Sequence, residues 1–546
     1  MENFHAPSWL KHAAFYEVYP QTFQDSNGDG IGDLEGVMQR LDYIQSLGCN
    51  AIWLNPCFES PFGDAGYDVA DFYKVAARYG TNEDLVRLIE AVHQRGMKLC
   101  LDLVAGHTST AHPWFVASAR AERNEFTDRY IWTDSVWASV PAGLSQINGY
   151  GDRNGNYVTN FFHFQPALNF GFAHPDPAQP WQLPVEHPAC RANREAMKDI
   201  MRFWLDQGAD GFRVDMAASL VKNDPDYAST MALWAEMREM YDREYPEAVL
   251  IAEWSDPARA IPGGFHIDFL IHFNHPGYSS LFRAEPERDL FRFFKDMGGS
   301  FFAAEGKGNI RLFLDEYLRH LRATEGKGYI ALPTGNHDLM RLAYGRRPEE
   351  VRVAFVFLFT MPGVPYIYAG DEYGQDYIEG LVSKEGGYNR TGSRSPMHWD
   401  ESTNAGFSSA GPQALYLPLD PRPDRPTVAA QERDPGSMLN FTRRLLQLRR
   451  DHAPLGNDGG FTPLYAEKDA YPFVYLRGTR EDGAVVAVNP AARPESCTFR
   501  LSDAAQIQAA QIAPLLPTEA VLEVDGDCVR LTMPPISFGV WRLQEA

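Results

Sequence analysis

The sequence predicts an α/β protein: a closed (β/α)8 barrel, a small domain inserted after the third strand, and a C-terminal antiparallel β-sandwich. Three observations carry that expectation. Eight short apolar runs recur between residues 14 and 372, and helix-like segments lie between most of them. The alternation is interrupted between about 105 and 174, and it ends at about 455. Buried strands alternating with helices require a parallel sheet, and eight such units close it. A doubly wound open sheet is the rival, but that fold carries a Gly-rich turn after its first strand, and none follows Pro20.

In order, the runs begin with AFYEVYP (14–20), AIWLNP (51–56) and KLCLDLV (98–104). A helix, NEDLVRLIEAVHQRG (82–96), separates the second from the third. Residues 105–174 are rich in aromatics, Gly, Asn and His and too long for an ordinary loop, so they form the inserted domain. A helix from Asn193 to a stop at Gly208 leads to GFRVDMA (211–217), VLIAEW (249–254), FHIDFLI (265–271) and YIALPTGNHD (329–338). The uncharged stretch 353–370 is nearly long enough to span a bilayer, but Pro362, Gly363 and Pro365 break it. It reads as a buried helix ending near Met361 and a strand from Val364 to Ala369, the start of the eighth run, VPYIYAGDE (364–372). Beyond 455 the short runs FVYLRG, AVVAVNP, CTFRLS, VRLTM and FGVWRL, divided by Gly, Pro and Asp, predict the sandwich. The barrel is thus expected over 1–104 and 175–454, the insertion over 105–174 and the sandwich over 455–546.

A net charge of −22 would repel phosphate backbones and anionic lipid, which excludes nucleic acid and membrane surfaces as expected partners. A neutral substrate is indifferent to it. Six scattered cysteines form no CxxC pair, so neither a zinc site nor a disulfide scaffold is indicated. The opening MENFHAPSWLKHAAFYEVYP carries charge and Pro where a signal peptide needs an apolar run, so a cytoplasmic location is expected.

Functional residues of such a barrel sit where strands end. Those positions hold Asp102, Arg213, Asp215, Glu253, His337 and Asp338, with His107 just beyond the third strand. Singly, each has a plain structural use: Arg213 and Asp215 share a strand face and could be an ion pair, and Asp338 could cap a helix. Together, carboxylates converging with histidines and an arginine are the chemistry of proton transfer and carbocation stabilisation. A separate stretch, DSNGDGIGD (25–33), places oxygen-bearing Asp25, Asn27, Asp29 and Asp33 as a hard cation requires. Its first half matches a calcium hand, but the twelfth position is Gly36 rather than a bidentate Glu, so it reads as a structural metal loop.

FRVDM, IAEW and TGNHD at the fourth, fifth and seventh strands resemble signature regions of the α-amylase superfamily, glycoside hydrolase family 13. DLVAGH and QPALN (165–169) do so too, and the resemblance covers essentially the whole chain, TIM barrel, insertion and sandwich alike. It implies that Asp215 is the nucleophile, Glu253 the general acid/base and Asp338 the transition-state stabiliser. It further implies that His107 and His337 orient a sugar ring, that Tyr67 stacks beneath it and that Asp102 supports Arg213. On electrostatic grounds Arg213 is expected to lower the pKa of Asp215, and Trp254 to accompany a drier setting for Glu253. The similar loop of oligo-1,6-glucosidase-like members binds Ca²⁺ or Mg²⁺. That resemblance implies a structural ion here on Asp25, Asn27, Asp29, Asp33 and the Ile31 carbonyl, with no organic cofactor.

QPALN and GDAGYDV resemble the α-glucosidase-like members. Asp64, with Arg390 or Arg394 from RTGSRSPMHW, could clamp terminal sugar hydroxyls and close one end of the pocket. The expectation is a retaining enzyme that removes terminal glucosyl units from short α-gluco-oligosaccharides, with a small-molecule α-glucoside as its partner. An α-glucosyl transferase or isomerase and an endo-acting α-amylase are the alternatives. A non-enzymatic transporter subunit would require a membrane anchor and an eroded triad, and the sequence has neither. Three departures stand out: Gly106 where the family usually has Asn, Ala167 for Asp, and Met216 after the nucleophile. The Asn often helps bind calcium, so a second metal site is not expected. Phe161, Phe162 and Phe164 either line a sugar platform or pack the insertion.

Overall fold

The computed structural model describes residues 6–271, 276–288, 297–386, 389–479, 482–501, 511–526 and 528–544. Ser502, which ends the CTFRLS run, and the last two residues of the chain lie outside them. Eight strands form the barrel: β1 (Phe15–Val18), β2 (Ala51–Leu54), β3 (Lys98–Leu103), β4 (Gly211–Val214), β5 (Val249–Ala252), β6 (Ile267–Phe269), β7 (Tyr329–Pro333) and β8 (Val364–Tyr368). Each falls inside one of the eight apolar runs. Neighbours pair in parallel, and β1 pairs with β8 to close the ring.

Side chains alternate between the barrel axis and the helix layer along every strand. The inward phase begins apolar: Phe15, Ala51, Cys100, Ile251, Phe269 and Tyr366 belong to one buried cluster. Two residues further on, in the same phase, it turns polar, with Glu17 after Phe15, Asp102 after Cys100 and Glu253 after Ile251. Arg213 and Asp215 continue the phase of Gly211. The outward phase stays apolar, and Tyr16, Leu101, Phe212, Val214 and Leu250 pack under the helices. Because all eight strands run the same way, the polar positions collect at one mouth.

The helix Asn82–Gln94 is opened by a capping box between Thr81 and Asp84 and buries Leu85, Leu88, Ile89 and Val92 on one stripe. The helix expected from Asn193 begins five residues earlier, at Pro188, and runs to Asp206. Pro188 presets the helical φ, and His187 Nδ1 accepts from Ala189 N at 3.2 Å, an N-terminal signal carried by His rather than Ser or Asp. The apolar helix Pro348–Thr360 is buried on all sides from Val353 onward, and its C-cap is Met361. Among the described residues no helix is long and apolar enough to cross a membrane.

After β3, a helix (Pro113–Ser118) and a hairpin (Ser145–Asn148 with Asn156–Thr159) form the insertion. The C-terminal region has a five-stranded and a three-stranded antiparallel sheet sharing a core that includes Leu476, Val485, Phe499 and Leu531. Buried arginines line its junction with the barrel. Arg449 donates to Phe359 O and Met361 O, both at 2.8 Å, and Arg477, from a sandwich strand, donates to Thr360 O. Cations at the C-terminus of Pro348–Thr360 satisfy its free carbonyls and suit its dipole.

Candidate active site

Arg213 organises the mouth. It is 1% exposed and donates through Nη1 to Asp102 Oδ1 (3.0 Å) and Asp215 Oδ1 (3.2 Å), and its Nη2 lies 2.8 Å from Glu253 Oε1. One planar fork therefore engages both carboxylates. Glu253 Oε2 also accepts from Met216 N at 2.9 Å. Met216 sits at φ 45°, so the chain turns sharply just past Asp215 and aims that amide at the neighbouring carboxylate. Asp102 is secured by Trp53 Nε1 and Tyr67 OH, both at 3.0 Å.

The electrostatics correct one expectation. Burial, and then the charge of Glu253, hold the Asp215 carboxyl well above the usual range, and Arg213 only partly offsets them. Burial likewise raises Glu253, against Arg213 and the Met216 N–H. Two carboxyls this close in a dry site resist losing both protons. Trp254 does not supply the dryness: it is out of phase with Glu253 and packs against Tyr227 and Phe265. Asp338 behaves oppositely. Burial opposes its ionisation, yet His337, Arg390 and Arg394 together hold it well below the ordinary carboxylate range.

Asp338 Oδ1 accepts from Arg390 Nη1 at 2.8 Å and from Arg394 Nη2 at 2.7 Å. The other arm of Arg390 grips Asp64 Oδ1, and Gln165 of the QPALN stretch donates to Asp64 Oδ2 at 2.8 Å. Arg394 continues to Glu385 Oε2 at 3.1 Å. Asp64 and Asp338, far apart in sequence, are thus joined through one guanidinium. Burial, opposed by the two arginines, pushes Asp64 up to about 6.

His337 Nε2 lies 2.8 Å from Tyr67 OH and 3.5 Å from Asp338 Oδ2, and the Tyr67 ring stacks on it at 5.3 Å. His107 Nε2 is 3.1 Å from Tyr67 O and its Nδ1 3.2 Å from Asn160 Nδ2, so protein groups engage both ring nitrogens. Asn160 also explains Gly106: a Cβ there would meet Asn160 Nδ2 at 2.7 Å. Ala167 pairs with His107 and is fully buried in the insertion core. Phe162 and Phe164 stack on each other at 5.5 Å with Arg390 over the Phe162 ring, while Phe161 is exposed.

Three residues escaped the sequence reading. Glu17 Oε1 is 2.7 Å from His337 Nδ1, and burial holds this acid well above its usual range and the imidazole well below its own. A single Glu in the apolar run AFYEVYP, in the inward phase, was the available signal. Gln165 opens the QPALN motif, but nothing local links it to Asp64. Glu385 lies in a loop without pattern.

In the loop 25–33, Asp25 accepts from Gly28 N (2.7 Å) and Gly30 N (2.8 Å), Asn27 from Asp29 N (2.9 Å), Asp29 from Ile31 N (2.8 Å) and Asp33 from Gly36 N (2.6 Å). The all-oxygen donor set suits a hard divalent cation in chemistry. In this conformation those oxygens close turns, and among the described residues no three His, Cys, Asp or Glu are grouped to hold a metal.

A parallel barrel whose mouth carries an arginine-held carboxylate pair and a third, arginine-bound carboxylate defines an enzyme of the glycoside hydrolase class. The chain belongs to the α-amylase family: the model described as "Alpha amylase, catalytic domain" matches residues 17–458. It is 33% identical over 526 residues to the trehalose synthase/amylase TreS of Mycobacterium tuberculosis, covering 89% of this chain and 82% of that one. It is 31% identical over 553 residues to the oligo-1,6-glucosidase of Parageobacillus thermoglucosidasius, covering 91% and 92%. Among solved structures, an isomaltulose synthase variant from Erwinia rhapontici NX5 in complex with D-glucose matches with a TM-score of 0.78 over 98% of this chain and 99% of that one. At 24% identity that likeness speaks to the fold alone.

Proposed function

We propose that this enzyme is an exo-acting, retaining α-glucosidase that removes one glucosyl unit at a time from short α-gluco-oligosaccharides. Asp215 attacks the anomeric carbon while Glu253 protonates the departing oxygen, giving a covalent glucosyl ester. Glu253 then takes a proton from water, which displaces Asp215 with net retention. The raised proton affinity of the Asp215–Glu253 pair suits that exchange, because one carboxyl must be ionised while the other is protonated. Asp338, kept anionic by Arg390 and Arg394, stabilises the oxocarbenium-like centre. His337 and Tyr67 order the sugar-binding wall, and His107 holds the Tyr67 backbone.

The observation that carries the exo reading is the Asp64–Arg390–Asp338 chain, which sets a charged wall beside the carboxylate pair. With maltose, isomaltose and maltodextrin as substrates, glucose released as the α-anomer is the expected first product, and longer chains are expected to react more slowly. Internal cleavage of maltodextrin into oligosaccharides would overturn the exo assignment. A second reading, glucosyl transfer or isomerisation, is favoured by the relative that is a trehalose synthase/amylase. It uses the same intermediate with a sugar in place of water, and accumulation of a new disaccharide at high sugar concentration would establish it.

The proposal includes a structural Ca²⁺ or Mg²⁺ held by Asp25, Asn27, Asp29, Asp33 and the Ile31 carbonyl. It would brace the first βα loop without touching substrate. Treatment with EDTA is expected to lower the melting temperature by roughly a few degrees, and added Ca²⁺ to restore it. A melting curve indifferent to both reagents would show that the turns support themselves.

A further inference from the structure

Asp268 lies on β6 between the inward-facing Ile267 and Phe269, so it points away from the barrel axis, and it is fully buried. Its carboxylate accepts from three successive backbone N–H groups: Trp254 at 3.0 Å and Ser255 at 3.3 Å on Oδ1, Asp256 at 2.9 Å on Oδ2. These are the three residues that follow Glu253. Ser255, itself buried, sits at φ 61°, in the left-handed region that a side chain disfavours. The turn is therefore not one this stretch adopts unaided, and the neighbouring strand supplies the acceptors that hold it.

We propose that Asp268 is a positioning residue for Glu253, holding the strained turn after β5 so that the Glu253 carboxyl meets the glycosidic oxygen at hydrogen-bonding distance. The inference rests on the acid/base role given to Glu253 above. Arg213 and Met216 N hold the carboxyl end of that side chain, while Asp268 holds the backbone behind it. Loss of the backbone hold acts first on Glu253, because Asp215 belongs to a different strand and keeps its own N–H on Leu103 O at 2.9 Å. Proton transfer tolerates little drift, because donor and acceptor must come within hydrogen-bond reach.

The Asp268→Asn variant keeps the shape but turns an N–H donor against one of the three backbone donors. Its test is kcat/KM across aryl α-glucosides with leaving groups from phenol to dinitrophenol. Departure of a poor leaving group needs acid assistance, whereas a good one leaves without it. We expect a loss of roughly thirtyfold or more on the phenyl glucoside and less than about threefold on the dinitrophenyl glucoside. Azide is expected to raise kcat on the activated substrate, displacing the Asp215 carboxylate from the anomeric carbon to give α-glucosyl azide without any base. Glu253→Gln is the reference and should show the same two signatures more strongly.

If Glu253→Gln shows them and Asp268→Asn loses activity uniformly across the series, or not at all, the positioning role is wrong. If Glu253→Gln itself shows no leaving-group dependence, the reading of the site fails and this inference falls with it. Should Asp268→Asn not be recovered folded, Asp268→Ser, which retains one acceptor and leaves room for water, is read by the same ratio and judged by the same outcomes.

Discussion

Replacing Asp215 by Asn is expected to lower turnover by roughly four orders of magnitude while leaving the folded protein at least as stable. The loss follows from chemistry, since an amide cannot form the glucosyl ester. Glu253→Gln should fall comparably on natural sugars, because the amide can neither give nor take the proton. The stability half follows from burial. Asp215 has a pKa raised above its unfolded value, by desolvation first and by Glu253 second. A carboxyl raised in this way opposes folding once the pH exceeds the ordinary Asp range of about 4. Below that range it is protonated in both states and contributes nothing. Any gain in Asp215→Asn should therefore be present at pH 7 and fade as the pH drops through about 4. Thermal melts at the two pH values, alongside steady-state rates, check both halves. Near-normal turnover in either variant would refute the assigned roles.

Arg390→Ala is expected to damage activity and stability together. The guanidinium sits between Asp64 and Asp338, and its side chain is only 4% exposed. Removing one partner from a buried ion pair costs about 3–5 kcal/mol, because the remaining charges lose compensation but stay desolvated. Both carboxyls should then protonate more easily. Asp64, already up at about 6, would move higher, and Asp338 would lose one of the groups that keep it ionised. Since the site needs these groups as anions, the acid limb of kcat/KM should shift to higher pH. The maximal value should drop by roughly a hundredfold as the two loops separate. Urea titration and a pH–rate profile are the measurements. Unchanged stability with an unchanged acid limb would mean the Asp64–Arg390–Asp338 chain is incidental.

Much of this architecture is visible in local patterns. Each barrel strand lies within an apolar run because a buried parallel strand must be apolar on both faces, and a period of two then sends Asp102, Arg213, Asp215 and Glu253 to the same side. The start of the helix at Pro188 was hidden because its cap is a histidine. The net proton affinity of Asp215 was misjudged for a different reason. Arg213 and Asp215 are two residues apart, so their attraction could be read from the chain. The opposing influences, burial and Glu253, come from the closed barrel and from a strand 38 residues further on.

Chain order and residue type alone settled which elements form, how they alternate and which polar residues reach the rim, since hydrophobic periodicity acts over a few residues. The folded barrel decided who meets whom: Asp64 with Arg390 and Gln165, Glu17 with His337, Asp268 with the turn beyond Glu253. Those pairings span up to hundreds of residues. Proton affinities belong to the same second category, because they depend on desolvation and through-space charge, and neither quantity exists until the ring has closed.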